Sequence, residues 1–188
     1  MLWIGLSLVV LIIILTIAAL SLISMIEQMQ YWNTTDKIMF LPSFNRNIRQ
    51  GLTQLIDSQN IQTENWNLVE LGCGRAGIIR FLNGQYTWKS VNGVEGQFVI
   101  WLQAKILALG KNINLIRGDL FQTKISKPSL IYCYLSKPIL KKLLENGKFK
   151  NCLVISLDYP IKSATPTSSV DIKSNKNIQN KLLLYDFR

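Results

Sequence analysis

Glu70, Glu95 and Asp119, set around a glycine turn, are the side chains with the means to hold a charged, nucleotide-like ligand. Glu70 lies two positions before Gly72 in "NLVELGCGRAGIIRFL", Glu95 follows the turn by roughly 20 residues, and Asp119 closes "IRGDL". Gly72, Gly74 and Gly77 match G-x-G-x-x-G, in which the first glycine permits a tight turn and the second lets backbone approach a ligand closely. Each group also has a plainer role. Glu70 can cap the helix that follows, Asp119 can serve its own turn, and the glycines can do no more than link a strand to a helix.

The placement of the acids separates two kinds of ligand. A carboxylate at Glu70 would face the pyrophosphate of a dinucleotide, which is electrostatically poor. It suits a ligand bearing an amino group, such as the methionine portion of S-adenosylmethionine. Asp119, after a later strand, supplies an acceptor for an adenine amino group. An acid, a turn and two further acids after successive strands therefore favour S-adenosylmethionine over a nicotinamide. The chain contains no histidine. That excludes Ser-His-Asp and Cys-His nucleophilic machinery and histidine metal sites, so no metal is expected. Cys73, Cys133 and Cys152 are odd in number and lack CxxC spacing. They read as buried thiols in a reducing compartment. Cys73 has no basic partner in sequence to make it a nucleophile.

These residues need elements to position them. "NLVEL", "KSVNGVE", "INLIRGDL", "SLIYCYL" and "NCLVISLDY" read as five strands, with "KLLLYDF" as a sixth at the sheet edge. Helices are expected at "SFNRNIRQGLTQLIDSQ" with Ser43 or Asn45 as N-cap, at "AGIIRFLN", at "GQFVIWLQAKILALG" and at "KPILKKLLENG". In the third of these, Val99, Ile100, Leu102, Ile106 and Leu107 are the apolar positions and Gly110 the C′ residue. "SATPTSSVDIKSNKNIQN" is polar and turn-rich and reads as a loop or hairpin connection. Alternation of strand and helix implies an α/β fold with a parallel sheet covered on both faces. Its ligand site lies beyond the carboxyl ends of the strands.

The 188-residue chain is 48% hydrophobic, with a mean hydropathy of +0.19, and much of the excess is N-terminal. No charge occurs from Met1 to Ile26, a run of about 25 residues against the roughly 20 that cross a bilayer core. A signal peptide would have an apolar region of about 7–15 residues behind a basic start and before a small-residue cleavage site. "LSLISMIEQM" offers no such site. The expected organisation is a transmembrane anchor at 1–26, a juxtamembrane linker at 27–41 and a folded domain at 42–188. Tyr31 and Trp32 suit the headgroup level, and Lys37, Arg46 and Arg49 after the span place the domain in the cytoplasm. The net charge is +10, concentrated in the second half, notably in "SKPILKKLLENGKFK". Next to an anchor, that favours an anionic lipid surface. Nucleic acid is the weaker partner, because no helix-turn-helix, zinc or RNA-binding aromatic signature accompanies the charge.

With these motifs in view the chain resembles the class I S-adenosylmethionine-dependent methyltransferases over roughly residues 42–187. Within that superfamily it is most similar to the membrane-anchored protein-lysine methyltransferases, which act on the ATP-synthase c-subunit and the adenine nucleotide translocase, and to their prokaryotic relatives. The apolar N-terminus, "LPSF", "VELGCG", "VNGVEGQF", "IRGDLF", "IYCYLSKPILKKL" and "CLVISLDYPI" carry the resemblance. The last two are the more family-specific; the glycine turn identifies only the superfamily. The resemblance implies a Rossmann-like fold and S-adenosylmethionine as cofactor. Glu70, Gly72, Cys73 and Gly74 would lie at its methionine end, Glu95 at the ribose, and Gln97, Asp119 and Leu120 around the adenine. Tyr132 and Tyr134 would line the entry of the methyl acceptor, a lysine of a membrane protein. Relatives carry an acidic, glycine-rich run where this chain has Arg75, Ala76 and Gly77; Arg75 would then pair with the methionine carboxylate or stand in solvent. A methyltransferase for a small or lipid-soluble molecule, such as a quinone precursor, and a non-catalytic domain with a decayed turn are the competing readings.

Overall fold

The computed structural model describes residues 2–33, 45–172 and 180–188. "LPSF", Ser43 and most of the expected linker lie outside them.

Seven strands form one sheet in the order β3-β2-β1-β4-β5-β7-β6. β1 (Asn67–Leu71), β2 (Ser90–Glu95), β3 (Asn114–Arg117), β4 (Ser129–Cys133) and β5 (Cys152–Leu157) are parallel, and β7 (Asn180–Asp186) runs antiparallel between β5 and β6 (Ser168–Ile172). The strand order reverses between β1 and β4, the switch point at which the carboxyl ends open a crevice. The final strand is therefore not at the edge, contrary to the sequence reading. Leu182, Leu183, Leu184 and Tyr185 are buried on alternate faces, as an interior strand requires. The more polar "SSVDI", read as connection, supplies the true edge.

Three helices cover one face: α2 (Arg46–Asp57), α3 (Gly77–Gln85) and α4 (Phe98–Leu107). Asn45 is the N-cap of α2, its Oδ1 accepting from Ile48 N at 2.8 Å. Gly51 on α2 faces the β6–β7 hairpin so closely that a Cβ there would sit 2.5 Å from Ile172 Cδ1 and 2.9 Å from Leu182 Cδ1. The opposite face holds α5 (Lys137–Glu145), whose Ile139, Leu140 and Leu143 pack on Val69, Ile131 and Val154.

α1 (Leu2–Asn33) is one continuous helix that runs beyond residue 26, so residues 27–33, expected in the linker, are helical. Its segment Leu6–Glu27, 22 residues at a mean hydropathy of 3.1, is long and apolar enough to cross a membrane, and none of its side chains is fully buried in the protein, though Leu20, Ser24 and Glu27 are half-buried. Charge ended the apolar run at Glu27, but a charge does not end a helix.

Candidate functional site

The site lies at the carboxyl ends of β1, β2 and β3. After β1 the chain turns through Gly72 (φ +71°) and Gly74 (φ +53°), in the left-handed region that favours glycine. The N–H groups of Gly72 and Cys73 both donate to Val94 O, at 2.9 Å each, folding the turn onto β2. Glu95 ends β2. Its Oε2 accepts from Gly74 N and its Oε1 from Gln97 N, both at 2.9 Å. Gly74, Glu95 and Gln97, assigned separately from sequence, thus meet at one carboxylate. Burial raises the Glu95 pKa, and the N–H groups of Gln97, Gly74 and Gly96 oppose the shift. Each oxygen keeps a further lone pair, and together they match two adjacent hydroxyls. Beside them Gln97 is only 4% exposed, and its buried Oε1 has no hydrogen-bond partner among the described residues. Such an acceptor left unmade costs about 1–3 kcal/mol, so it marks a place for a donor.

Glu70 does something other than receive an amino group in open space. It is 5% exposed, beneath the turn, and its Oε2 accepts from Ile79 N at 3.0 Å in the first turn of α3. The capping role is the one its geometry serves. Desolvation pushes its pKa up to about 8, with Ile79 N–H lowering it, Glu95 raising it and Arg80 lowering it. Cys73 packs against Gly93, where a Cβ would lie 3.0 Å from the sulfur. Burial foremost, then Glu70 and Glu95, hold its thiol protonated. Arg75 donates from Nε to Gln103 Oε1 at 2.8 Å, tying the turn to α4.

Asp119 lies on the exposed loop after β3, where its Oδ1 accepts from Phe121 N at 2.8 Å. Gly118 N donates to Glu95 O at 3.1 Å and holds this loop beside β2. Leu120 packs toward the α5 face of the sheet.

At the end of β4 the two tyrosines expected to meet the acceptor part ways. Tyr132 is 1% exposed within the core on the α2–α4 face, opposite Glu70 in the β1–β4 register. Its side chain is part of the core and not of an open acceptor slot. An inward position on a central strand is covered by helices. Tyr134, past the end of β4, is half-buried and stacks on Tyr159, with centroids 5.8 Å apart and planes at 21°. Burial raises the Tyr134 pKa, and Asp158 and Tyr159 add to it. Tyr159 and Asp158, missed from sequence, follow β5 in "SLDYP"; polar and aromatic residues directly after a buried strand were the available signal. Glu27 was missed as well. Its Oε1 accepts from Phe98 N at 2.8 Å, its Oε2 from Val99 N at 3.4 Å, and Arg117 lies 3.8 Å away. A groove between α2 and α3, lined by Arg49, Asp57, Phe81 and Gln85, contains none of the expected site residues.

No protein-family model matches the chain, and no curated protein matches it. Solved structures do. An RNA methyltransferase from Salinibacter ruber, in complex with S-adenosyl-L-homocysteine, is 21% identical over 77% of this chain and 92% of that one, with a TM-score of 0.62. Human methyltransferase 10 domain containing protein is 10% identical over 89% and 97%, with a TM-score of 0.60. Magnesium protoporphyrin IX methyltransferase from Synechocystis PCC 6803, with bound S-adenosylmethionine, is 14% identical over 86% and 95%, with a TM-score of 0.54. The chain has the class I methyltransferase fold. In the terms of that fold, the Gly72–Gly74 turn, Glu95 and Gln97 lie at the carboxyl ends of β1 and β2, and the Tyr134–Tyr159 pair lies after β4 and β5.

Proposed function

We propose that this chain is an S-adenosylmethionine-dependent methyltransferase, held at a membrane by α1, that methylates a lysine of a membrane protein. The observation that carries the cofactor is the Glu95 carboxylate, backed by Gly74 N and Gln97 N, beside the unpartnered Gln97 Oε1. These residues fit the group. Glu95 would take the ribose hydroxyls, Gln97 Oε1 the adenine amino group, and the glycine turn would pass the methionine portion without side-chain obstruction. When bound, the cofactor supplies an electrophilic methyl group on a sulfonium. The protein's share is alignment, which alone contributes several kcal/mol to such displacements.

The Tyr134–Tyr159 face supports an amine acceptor. It suits the aliphatic stem of a lysine, and its partly dry surroundings favour the neutral amine over the ammonium. In a chain without histidine, desolvation is the available route to deprotonation. A flat, lipid-soluble ring would stack on the same face, which keeps a quinone- or porphyrin-type acceptor as the second reading. The test uses full-length protein, labelled cofactor and membranes from cells lacking it. Label in acid-stable methyl-lysine of an integral protein is expected. Label confined to the organic extract would establish the second reading. Absence of S-adenosylhomocysteine binding by calorimetry would leave a non-catalytic domain and overturn both.

A further inference from the structure

α4 is apolar over most of its surface, yet the sheet and α1 leave part of that surface open. Its residues Val99, Ile100 and Ala104 are buried, Ala104 in the core against the sheet, while Ile106 is 59% and Leu109, just past its end, 76% exposed. A helix apolar all round is a helix with something against each face. From Gln97 to Gly118 the charged residues are Lys105, Lys111 and Arg117, with no acid among them.

The N-terminus of α4 is fixed to the apolar helix α1. α1 packs against α4, and Glu27 accepts from the first two N–H groups of α4. Gln97, the N-cap, makes no side-chain capping bond, so Glu27 takes that role from 71 residues away. Among the described side chains of α1, Leu20, Ser24 and Glu27 are half-buried and the others exposed, marking the covered face. At 1.5 Å per residue, Leu20 lies about 10 Å from Glu27 along the axis. With Glu27 at the water boundary, α1 is therefore covered to about 10 Å inside the apolar layer, the depth at which interfacial helices lie.

We propose that α4 is a second membrane contact, its Leu102–Leu109 face seated in the interface of an anionic bilayer beside α1, with Lys105 and Lys111 at headgroup level. The inference rests on α1 being a membrane anchor. It differs from docking through the lysines of α5, which lies on the opposite face of the sheet.

The test places an environment-sensitive fluorophore on Leu109→Cys or on Lys141→Cys of α5, in full-length protein reconstituted into vesicles of phosphatidylcholine and phosphatidylglycerol. Both positions are exposed, and Cys73, Cys133 and Cys152 are buried, so labelling is selective and the fold is undisturbed. The expected result is a blue-shifted probe at 109, quenched by spin-labelled lipid and not by aqueous iodide, with the reverse at 141. Iodide quenching at 109 while the protein still floats with vesicles overturns the α4 contact and leaves the anchor standing. A probe at 109 shielded from both quenchers means a second copy or another protein covers the face, and also overturns it. Protein that fails to float with vesicles overturns the anchor and this proposal together.

Discussion

Glu70, buried, and Glu95, half-buried, are carboxylates near one turn, and their neighbours give them different work. Glu95 accepts from two backbone N–H groups at the carboxyl end of β2 and is proposed to accept from the ribose as well, so Glu95→Ala would remove charge-assisted bonds worth roughly 1.5–3 kcal/mol. Calorimetry should show S-adenosylhomocysteine binding at least about tenfold weaker while circular dichroism shows a folded domain; unchanged affinity would reject this site. Glu70 bears on stability. Its folded pKa is raised from 4.5 to about 8. Across that window the unfolded chain releases the proton and the folded chain keeps it, so stability falls as pH rises and levels off above it. The slope is at most about 1.4 kcal/mol per pH unit. Denaturant titrations of Glu70→Gln should show that slope flattened, and an unchanged slope would assign it elsewhere. Replacing Tyr159 by Ala should lower kcat/KM about tenfold or more with cofactor affinity intact, since it removes half of the stacked pair proposed to receive the acceptor.

At the scale of elements, α1 and α4 form one unit. The sequence boundary at residue 26 predicts that the anchor can be removed without consequence, but Glu27 is the cap of α4. Losing a capping side chain costs about 0.5–2 kcal/mol. Glu27→Ala in detergent-solubilised protein should lower the unfolding free energy by that amount, and Glu27→Asp should recover part of it. A variant as stable as the parent would show that the Phe98 and Val99 N–H groups find other partners.

For the whole molecule, the sheet separates two surfaces. α4 and α1 share one, and the basic helix α5 lies on the other, where Lys141 pairs with Glu145 and Lys142 sits 4.2 Å from the Phe121 ring centroid. If the proposed function and the α4 contact hold, substituting Gln for Lys141 and Lys142 should leave methylation of membrane acceptors within about twofold across moderate salt, because charges beyond a Debye length are screened. A steep loss of initial rate would place α5 at the membrane instead.

Strand alternation, the glycine turn and the long apolar run were legible because each is a local pattern imposed by backbone sterics or by the need to cover apolar surface. They yielded the α/β fold and five parallel strands, and they singled out Gly74, Glu95 and Gln97 one by one; the fold brought the three to one carboxylate. The place of β7 was not legible, since an apolar strand at the chain end has the same local pattern at an edge or inside, and only pairing with β5 and β6 decided it. Tyr132 and Tyr134 differ by two positions and share a face, yet one is sealed in the core and the other stands past the strand end against Tyr159. Glu27 ended an apolar run in sequence, and only the fold brought it to the α4 N-terminus, 71 residues distant. Local chemistry is written along the chain; which groups become neighbours across it depends on packing that no single segment encodes.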